Sequence, residues 1–202
     1  MSFKIGGELL RTVIVRNWDE ILLLGAVILL RAALTFYIQW EIRIEKKKKE
    51  EAELGNRILV LDNIQDPGNL GTIIRIADWF GIKHIICSHG TVDVYNTKTI
   101  QSTMGALTRV KVHYVDLPLE LSKVECPIYV TALDGENINK SSLTRNGVIV
   151  MGNEGNGVSA EVMAVANKKL LIPSYPPERP TSESLNVSVA TAIVVSMFRS
   201  QI

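Results

Sequence analysis

From Arg57 onward the chain alternates short, almost wholly apolar runs with stretches of helical periodicity, and that alternation leaves few architectures open. The apolar runs Arg57 to Leu61, His84 to Ser88, Val110 to Val115, Ile128 to Ala132, Val148 to Met151 and Lys169 to Ile172 predict strands. Helical stretches lie between several of them, notably Thr97 to Met104 and Ser159 to Ala166, and Leu185 to Ser200 follows the last strand. A strand with apolar residues on both sides must be covered on both faces, and strands joined through helices pair in parallel. The expected fold is therefore α/β, a mostly parallel sheet with helices on both faces. Ordinary connection rules predict that such a sheet is doubly wound and unknotted.

The first quarter of the chain is different. Residues 1 to 44 are unusually apolar, Glu45 to Glu53 is almost entirely charged, and the boundary falls near Leu54-Gly55-Asn56. Two parts are expected: residues 1–54, an apolar helical segment with a charged linker, and residues 55–202, the α/β domain. Ile21 to Trp40 runs for twenty residues with a single formal charge, Arg31. At about 1.5 Å of rise per residue that length suits a bilayer's hydrocarbon. An arginine at the centre of such a helix costs about 2.5 to 3.5 kcal/mol, so a buried or partner-packed helix stands as the alternative to membrane contact through residues 21–40. No small-residue cleavage site follows the run, which argues against a secretory signal. Leu10-Arg11-Thr12-Val13, Trp18 and the run from Arg31 to Glu41 and Ile42 resemble the C-terminal end of a family of small bacterial membrane proteins of unknown function. Should the segment insert, the lysines after it would favour a cytoplasmic C-terminal portion.

Composition excludes several classes of chemistry. Cys87 and Cys126 are the only cysteines, far apart and each beside apolar neighbours, so neither a disulfide framework nor a paired-cysteine zinc site is expected. His84, His89 and His113 show no metal-ligand spacing, and no metal is predicted. A net charge of +1 is low for a protein gripping RNA over a long surface. Contact with nucleic acid would have to come from local patches, of which Lys46 to Lys49 is the densest. The same run has a plainer reading as a solvated helix, since Glu45 with Lys49, Lys46 with Glu50 and Lys47 with Glu51 share the four-residue spacing of helical ion pairs.

Three separated segments hold polar side chains in otherwise apolar surroundings: Asn69-Leu70-Gly71-Thr72-Ile73-Ile74-Arg75, Met151-Gly152-Asn153-Glu154-Gly155-Asn156-Gly157, and Ser184-Leu185-Asn186-Val187-Ser188-Val189-Ala190. Polar groups beside a core must be paired or used, because leaving one buried and unpaired costs about 1 to 3 kcal/mol. In the first segment Asp66-Pro67-Gly68 breaks the strand and Asn69 is expected to cap the next helix. Ile73, Ile76, Ala77 and Phe80 predict that helix's buried stripe, leaving Arg75 on another face with Thr72 and Asp78. In the second, Gly152, Gly155 and Gly157 follow a strand and precede a helix that Ser159 is placed to cap, a loop whose backbone a ligand can approach. Its spacing is neither the dinucleotide fingerprint nor a P-loop. In the third, Ser184 reads as a helix cap and Asn186 as a residue bonding within the first turn.

In this order the segments resemble the three signature motifs of the SpoU (TrmH-like) branch of the SPOUT RNA methyltransferases, over about Arg57 to Ser200. The resemblance implies an enzyme that transfers a methyl group from S-adenosylmethionine to a ribose 2′-hydroxyl in tRNA or rRNA, works as a cytoplasmic homodimer with a site drawn from both subunits, and carries a C-terminal trefoil knot. It implies that Arg75, Asn69, Glu154, Ser184 and Asn186 form the catalytic site. It makes Thr131, Gly152, Asn153, Gly155, Ile172 and Leu185 the cofactor's neighbours. Within that scheme Arg75 faces the ribose hydroxyl. Because an arginine stays protonated, stabilising the developing alkoxide is an easier role for it than abstracting the proton. The plainer reading of Arg75 is a surface ion pair with Asp78.

Two departures from the family pattern stand out. The stretch Ser174 to Glu183, with Tyr175-Pro176-Pro177 and Pro180, is longer than the family's usual loop and lacks its glycine, and no small RNA-binding domain precedes the α/β part. Two competing functions follow: a catalytically weak protein that binds RNA or the cofactor, or a membrane-associated regulator that senses S-adenosylmethionine.

Overall fold

The computed structural model describes residues 22–23, 25–43, 57–176 and 184–200. It divides into two compact units, Met1–Glu53 and Leu54–Ile202. In the first, helix α1 (Gly25–Arg43) has no buried residue in its most apolar stretch, and its 19 residues are long and apolar enough to cross a membrane.

The second unit runs β1 (Arg57–Leu61), α2 (Pro67–Trp79), β2 (His84–Ser88), α3 (Thr97–Thr103), a 3-10 turn (Ala106–Thr108), β3 (Lys111–Val115), α4 (Leu117–Leu121), β4 (Ile128–Asn137), β5 (Gly147–Met151), α5 (Ala160–Ala164), β6 (Lys168–Leu171) and α6 (Val187–Ser200). Its six strands form one sheet in the order β3-β2-β1-β5-β4-β6. Every pairing is parallel.

Alternate residues of the central strands feed two cores, as a doubly covered sheet requires. Leu59, Leu61, Ile149 and Met151 pack with Ile73, Ile74 and Ala77 of α2 and Val194 and Phe198 of α6. On the opposite face Val60, Val130, Val148 and Val150 pack with Leu117 and Leu121 of α4 and Val162 of α5. Tyr129 meets Phe198 edge to face with ring centroids 5.0 Å apart.

Local details depart from the expected ones. The N-cap of α2 is Asp66, not Asn69: its carboxylate accepts the Asn69 backbone N–H, and Pro67 starts the helix. The buried stripe of α2 is Leu70, Gly71, Ile73, Ile74 and Ala77, while Ile76 is only half-buried. The stripe turns this way because α3 packs directly on α2. A Cβ at Gly71 would lie 2.5 Å from Ser102 Cβ, so only glycine permits that approach. Ser159 occupies the position before α5 without making a side-chain cap bond. Helix α4 was not foreseen, being five residues long with a proline in its first turn.

β4 is twice the expected length, and it is irregular. It pairs with β6 through Thr131, departs, and rejoins at Glu136. The proposed knot depends on the path of the chain between residues 176 and 184, and residues 177–183 lie outside the described residues.

Candidate active site

In an all-parallel sheet the carboxyl ends of the strands share one edge. Ligands of such sheets bind at that edge, and the strand order of this one reverses between β1 and β5, next to the strands that wall its cavity. The first two sequence motifs follow β1 and β5 respectively, so the topology alone brings them side by side.

A cavity of about 470 Å³ opens at this edge, walled by the ends of β4, β5 and β6 and by the start of α6. All six residues expected beside a cofactor line it: Thr131, Gly152, Asn153, Gly155, Ile172 and Leu185. So do Glu154 and Ser184 from the expected catalytic set, whereas Asn69, Arg75 and Asn186 are not among its walls.

Asn69 and Asn186 are instead tied to Glu154. The Asn69 side chain donates through Nδ2 to Glu154 Oε1 at 2.6 Å. Its Oδ1 accepts from Asn186 Nδ2 at 3.0 Å. These bonds join positions 85 and 117 residues apart in sequence, so one amide side chain links all three motifs. Asn69 is held for this by its backbone N–H on Asp66 Oδ1, 2.8 Å away. That bond, with Lys98 Nζ on the other oxygen at 3.1 Å, holds the Asp66 carboxyl below its ordinary range.

The third motif folds as a cap at a different residue from the one expected. Asn186, not Ser184, precedes the first residue of α6, and its Oδ1 accepts from the Ser188 backbone N–H at 3.0 Å and from Ser188 Oγ at 2.6 Å. One side chain therefore bonds within the first turn and also reaches the first motif.

The glycine loop is pre-shaped by its own bonds. Asn153 and Gly157 exchange backbone hydrogen bonds, both 2.9 Å. Asn153 Oδ1 accepts from Gly155 and Asn156 N–H, and its Nδ2 donates to Asn63 O at 2.8 Å. The amide of Asn153 thus shapes the loop. Gly152 is sterically required, since a Cβ there would stand 2.4 Å from Gly157 C and Val158 N. The Thr131 hydroxyl is taken up within the sheet, donating to Val150 O at 3.3 Å.

Arg75 is exposed and, among the described residues, has neither a hydrogen bond nor an ion pair. The ion pair with Asp78 does not form, because Arg109 already holds that carboxylate through Nε and Nη2, the latter at 2.7 Å. The same contact keeps the Asp78 carboxyl below its ordinary range.

The sequence reading missed Ala132 and Leu133, which reach the cavity because β4 leaves β6 there. The available signal was Gly135 inside a strand pattern: a Cβ at that position would lie 2.7 Å from the Leu170 backbone, marking the irregularity.

Residues 56–196 match the SpoU rRNA Methylase family, and residues 1–42 match a protein family of unknown function, DUF1622. The 23S rRNA (guanosine(2553)-2′-O)-methyltransferase RlmP of Bacillus subtilis is 36% identical over 155 residues, which are 75% of this chain and 61% of that protein. The tRNA (guanosine(18)-2′-O)-methyltransferase of Aquifex aeolicus is 32% identical over 168 residues, 79% of this chain and 76% of the relative. Among solved structures, an AdoMet-bound rRNA methyltransferase from Sinorhizobium meliloti superposes with a TM-score of 0.67 at 29% identity, covering 73% of this chain and 57% of that one. The chain thus spans less than two thirds of the length of the Bacillus relative. With the motifs in order, the parallel sheet in place and the match running through most of its length, the chain belongs to the SpoU rRNA methylase family.

Proposed function

We propose that this chain methylates a ribose 2′-hydroxyl of rRNA or tRNA, with S-adenosylmethionine held in the cavity at the ends of β4, β5 and β6. The observation that carries this reading is the hydrogen-bonded chain Asn186–Asn69–Glu154, which gathers three distant motifs at the wall of that cavity.

The donor set suits the cofactor. A cavity of about 470 Å³ is ample for a small molecule. Val158, Met163, Leu170 and Leu185 supply apolar walls for a base, and the glycine loop lets a ligand approach the backbone closely. Glu154 is the only charged side chain among the lining residues, and a carboxylate suits a cationic sulfonium. When bound, S-adenosylmethionine supplies an electrophilic methyl group on a good leaving group. The chain's own task is to align the ribose oxygen and support the charge that grows on it.

Arg75 is the group suited to that charge. Its guanidinium is held by nothing else among the described residues, and it stabilises the forming alkoxide while the proton leaves to phosphate or water. It does not line the cavity of its own chain. That arrangement supports a homodimer in which Arg75 of one subunit serves the cavity of the other.

Residues 55–202 would carry this activity, and residues 1–54 would serve a separate purpose. The exposed apolar surface of α1, with Tyr37 and Trp40 near its end and Arg43 beyond, favours contact with a membrane interface. The RNA-acting portion would then be tethered on the cytoplasmic side.

The test is transfer of labelled methyl groups from S-adenosylmethionine to total bacterial RNA, followed by mapping of the modified nucleotide. Arg75→Ala is expected to lower incorporation at least a hundredfold while cofactor binding persists. Equal incorporation by variant and wild type would remove Arg75 from the reaction, and label appearing on a base would exclude ribose methylation.

A further inference from the structure

The glycine loop of the second motif is fastened at both ends to a two-residue corner of the chain, Asp62-Asn63, that leaves β1. Asp62 N–H donates to Met151 O at 2.9 Å, just ahead of the loop. Asn63 O accepts from Asn153 Nδ2 at 2.8 Å, at the loop's first turn. Asp62 Oδ2 accepts the Ser159 N–H at 2.8 Å, just past the loop's far end. Two residues therefore hold positions 151, 153 and 159, and everything between them faces the cavity.

Asp62 is an unusual residue to find at this place. Its carboxylate is a charged group with only 2% of the residue exposed. A group so placed is costly unless hydrogen-bonded, and its second oxygen accepts from Asn63 Nδ2 at 3.2 Å. The Ser159 N–H, at the residue before α5, has this carboxylate as its acceptor. Asn63 in turn has a left-handed backbone, φ 55°, a conformation asparagine tolerates better than most residues. Its N–H is fixed on Ser88 Oγ at 2.8 Å.

We propose that Asp62 is a positioning residue of the cofactor cavity. Its carboxylate clamps the downstream end of the Gly152–Gly157 loop through the Ser159 N–H, while the Asn63 carbonyl clamps the upstream end. Asp62 touches neither cofactor nor RNA; it sets the loop geometry that the cofactor meets. The inference rests on the S-adenosylmethionine reading of the cavity.

The experiment measures S-adenosylmethionine affinity by calorimetry, RNA KM and Tm for the full chain as wild type, Asp62→Ala and Asp62→Asn. Asp62→Ala is expected to weaken cofactor binding at least tenfold with RNA KM changed less than twofold. Asp62→Asn, which keeps an oxygen for the Ser159 N–H, is expected to stay within threefold of wild type. A folded Asp62→Ala protein that binds the cofactor with wild-type affinity overturns the proposal, even if its Tm has fallen, because a merely structural residue would behave that way. Should Asp62→Ala not fold, Ser159→Pro removes the same N–H at a backbone φ of −59° that proline accepts; wild-type affinity in that variant overturns the proposal equally. A wild-type chain that binds no S-adenosylmethionine defeats the cofactor reading itself, an outcome distinct from a selective failure of the variants.

Discussion

Asn69 and Arg75 sit less than two turns apart on α2, yet only Asn69 has partners. On the proposed function, that contrast would divide the labour of the first motif: Asn69 would assemble the site through its bonds to Glu154 and Asn186, and Arg75 would meet the group that arrives. At this scale glycine geometry makes a sharp prediction. Gly152→Ala would force its new Cβ into the backbone of Gly157 and Val158, and overpacking of this kind costs about 1 to 3 kcal/mol. We expect cofactor affinity to drop at least tenfold with a measurable loss of Tm, checked by calorimetry and thermal melts; unchanged affinity would mean the loop does not shape the cavity. The two cysteines offer a second test. Burial pushes the Cys87 thiol up to about 12, whereas Cys126 is half-buried. In the native protein at about pH 8 an alkylating reagent should modify Cys126 well before Cys87, since the thiolate is the reactive form, and peptide mass mapping would show the order.

Among the elements, α2 bears most of the positioning, and its start depends on one carboxylate. Asp66 caps it and holds the Asn69 backbone in place. Removing such a cap costs about 0.5 to 2 kcal/mol, so Asp66→Ala should lower stability by that order and also slow methyl transfer by loosening Asn69. The pH dependence has a definite sign. The Asn69 N–H and Lys98 hold the native Asp66 carboxyl below its ordinary range, so its charge-dependent contribution is present in full well above that range and is lost as pH falls through the lowered native value. Denaturant titrations of wild type and variant should therefore differ most at neutral pH and converge in acid. This cap also shows how element-scale reading goes astray: Asp66 and Asn69 are both good caps in sequence, and only the placement of Pro67 in the first turn decides between them. β4 is a parallel case, where apolar pattern located the strand but not its departure from β6 between Thr131 and Glu136.

For the whole molecule the decisive question is where Arg75 works. Subunits carrying Arg75→Ala, mixed with subunits whose cavity is spoiled by Gly152→Ala, should form heterodimers with one intact composite site. Activity should recover toward a fraction of wild type upon coexpression, whereas an Arg75 serving its own chain would leave every mixture inactive. The tether is tested separately: residues 1–202 should sediment with membranes and residues 55–202 should not, and a 1–202 chain found wholly in the soluble fraction would remove the membrane reading. Much was legible beforehand. The strands and the longer helices came from apolar periodicity and the family from three short motifs, because these properties are local, whereas the residues expected beside the cofactor came from the family resemblance, Thr131 and Ile172 lying outside those motifs. What the sequence could not supply were contacts made at long range: that Asn69 bonds Glu154 and Asn186, that Arg109 rather than Arg75 takes Asp78, and that buried Asp62 receives the Ser159 N–H. Each depends on which side chains the parallel sheet carries to a common edge. Spacing along the chain says nothing of such meetings, so residue types and element order were determined by sequence, while the pairing of polar groups around the cavity was decided only when the parallel sheet assembled and brought the loops after its strands to one edge.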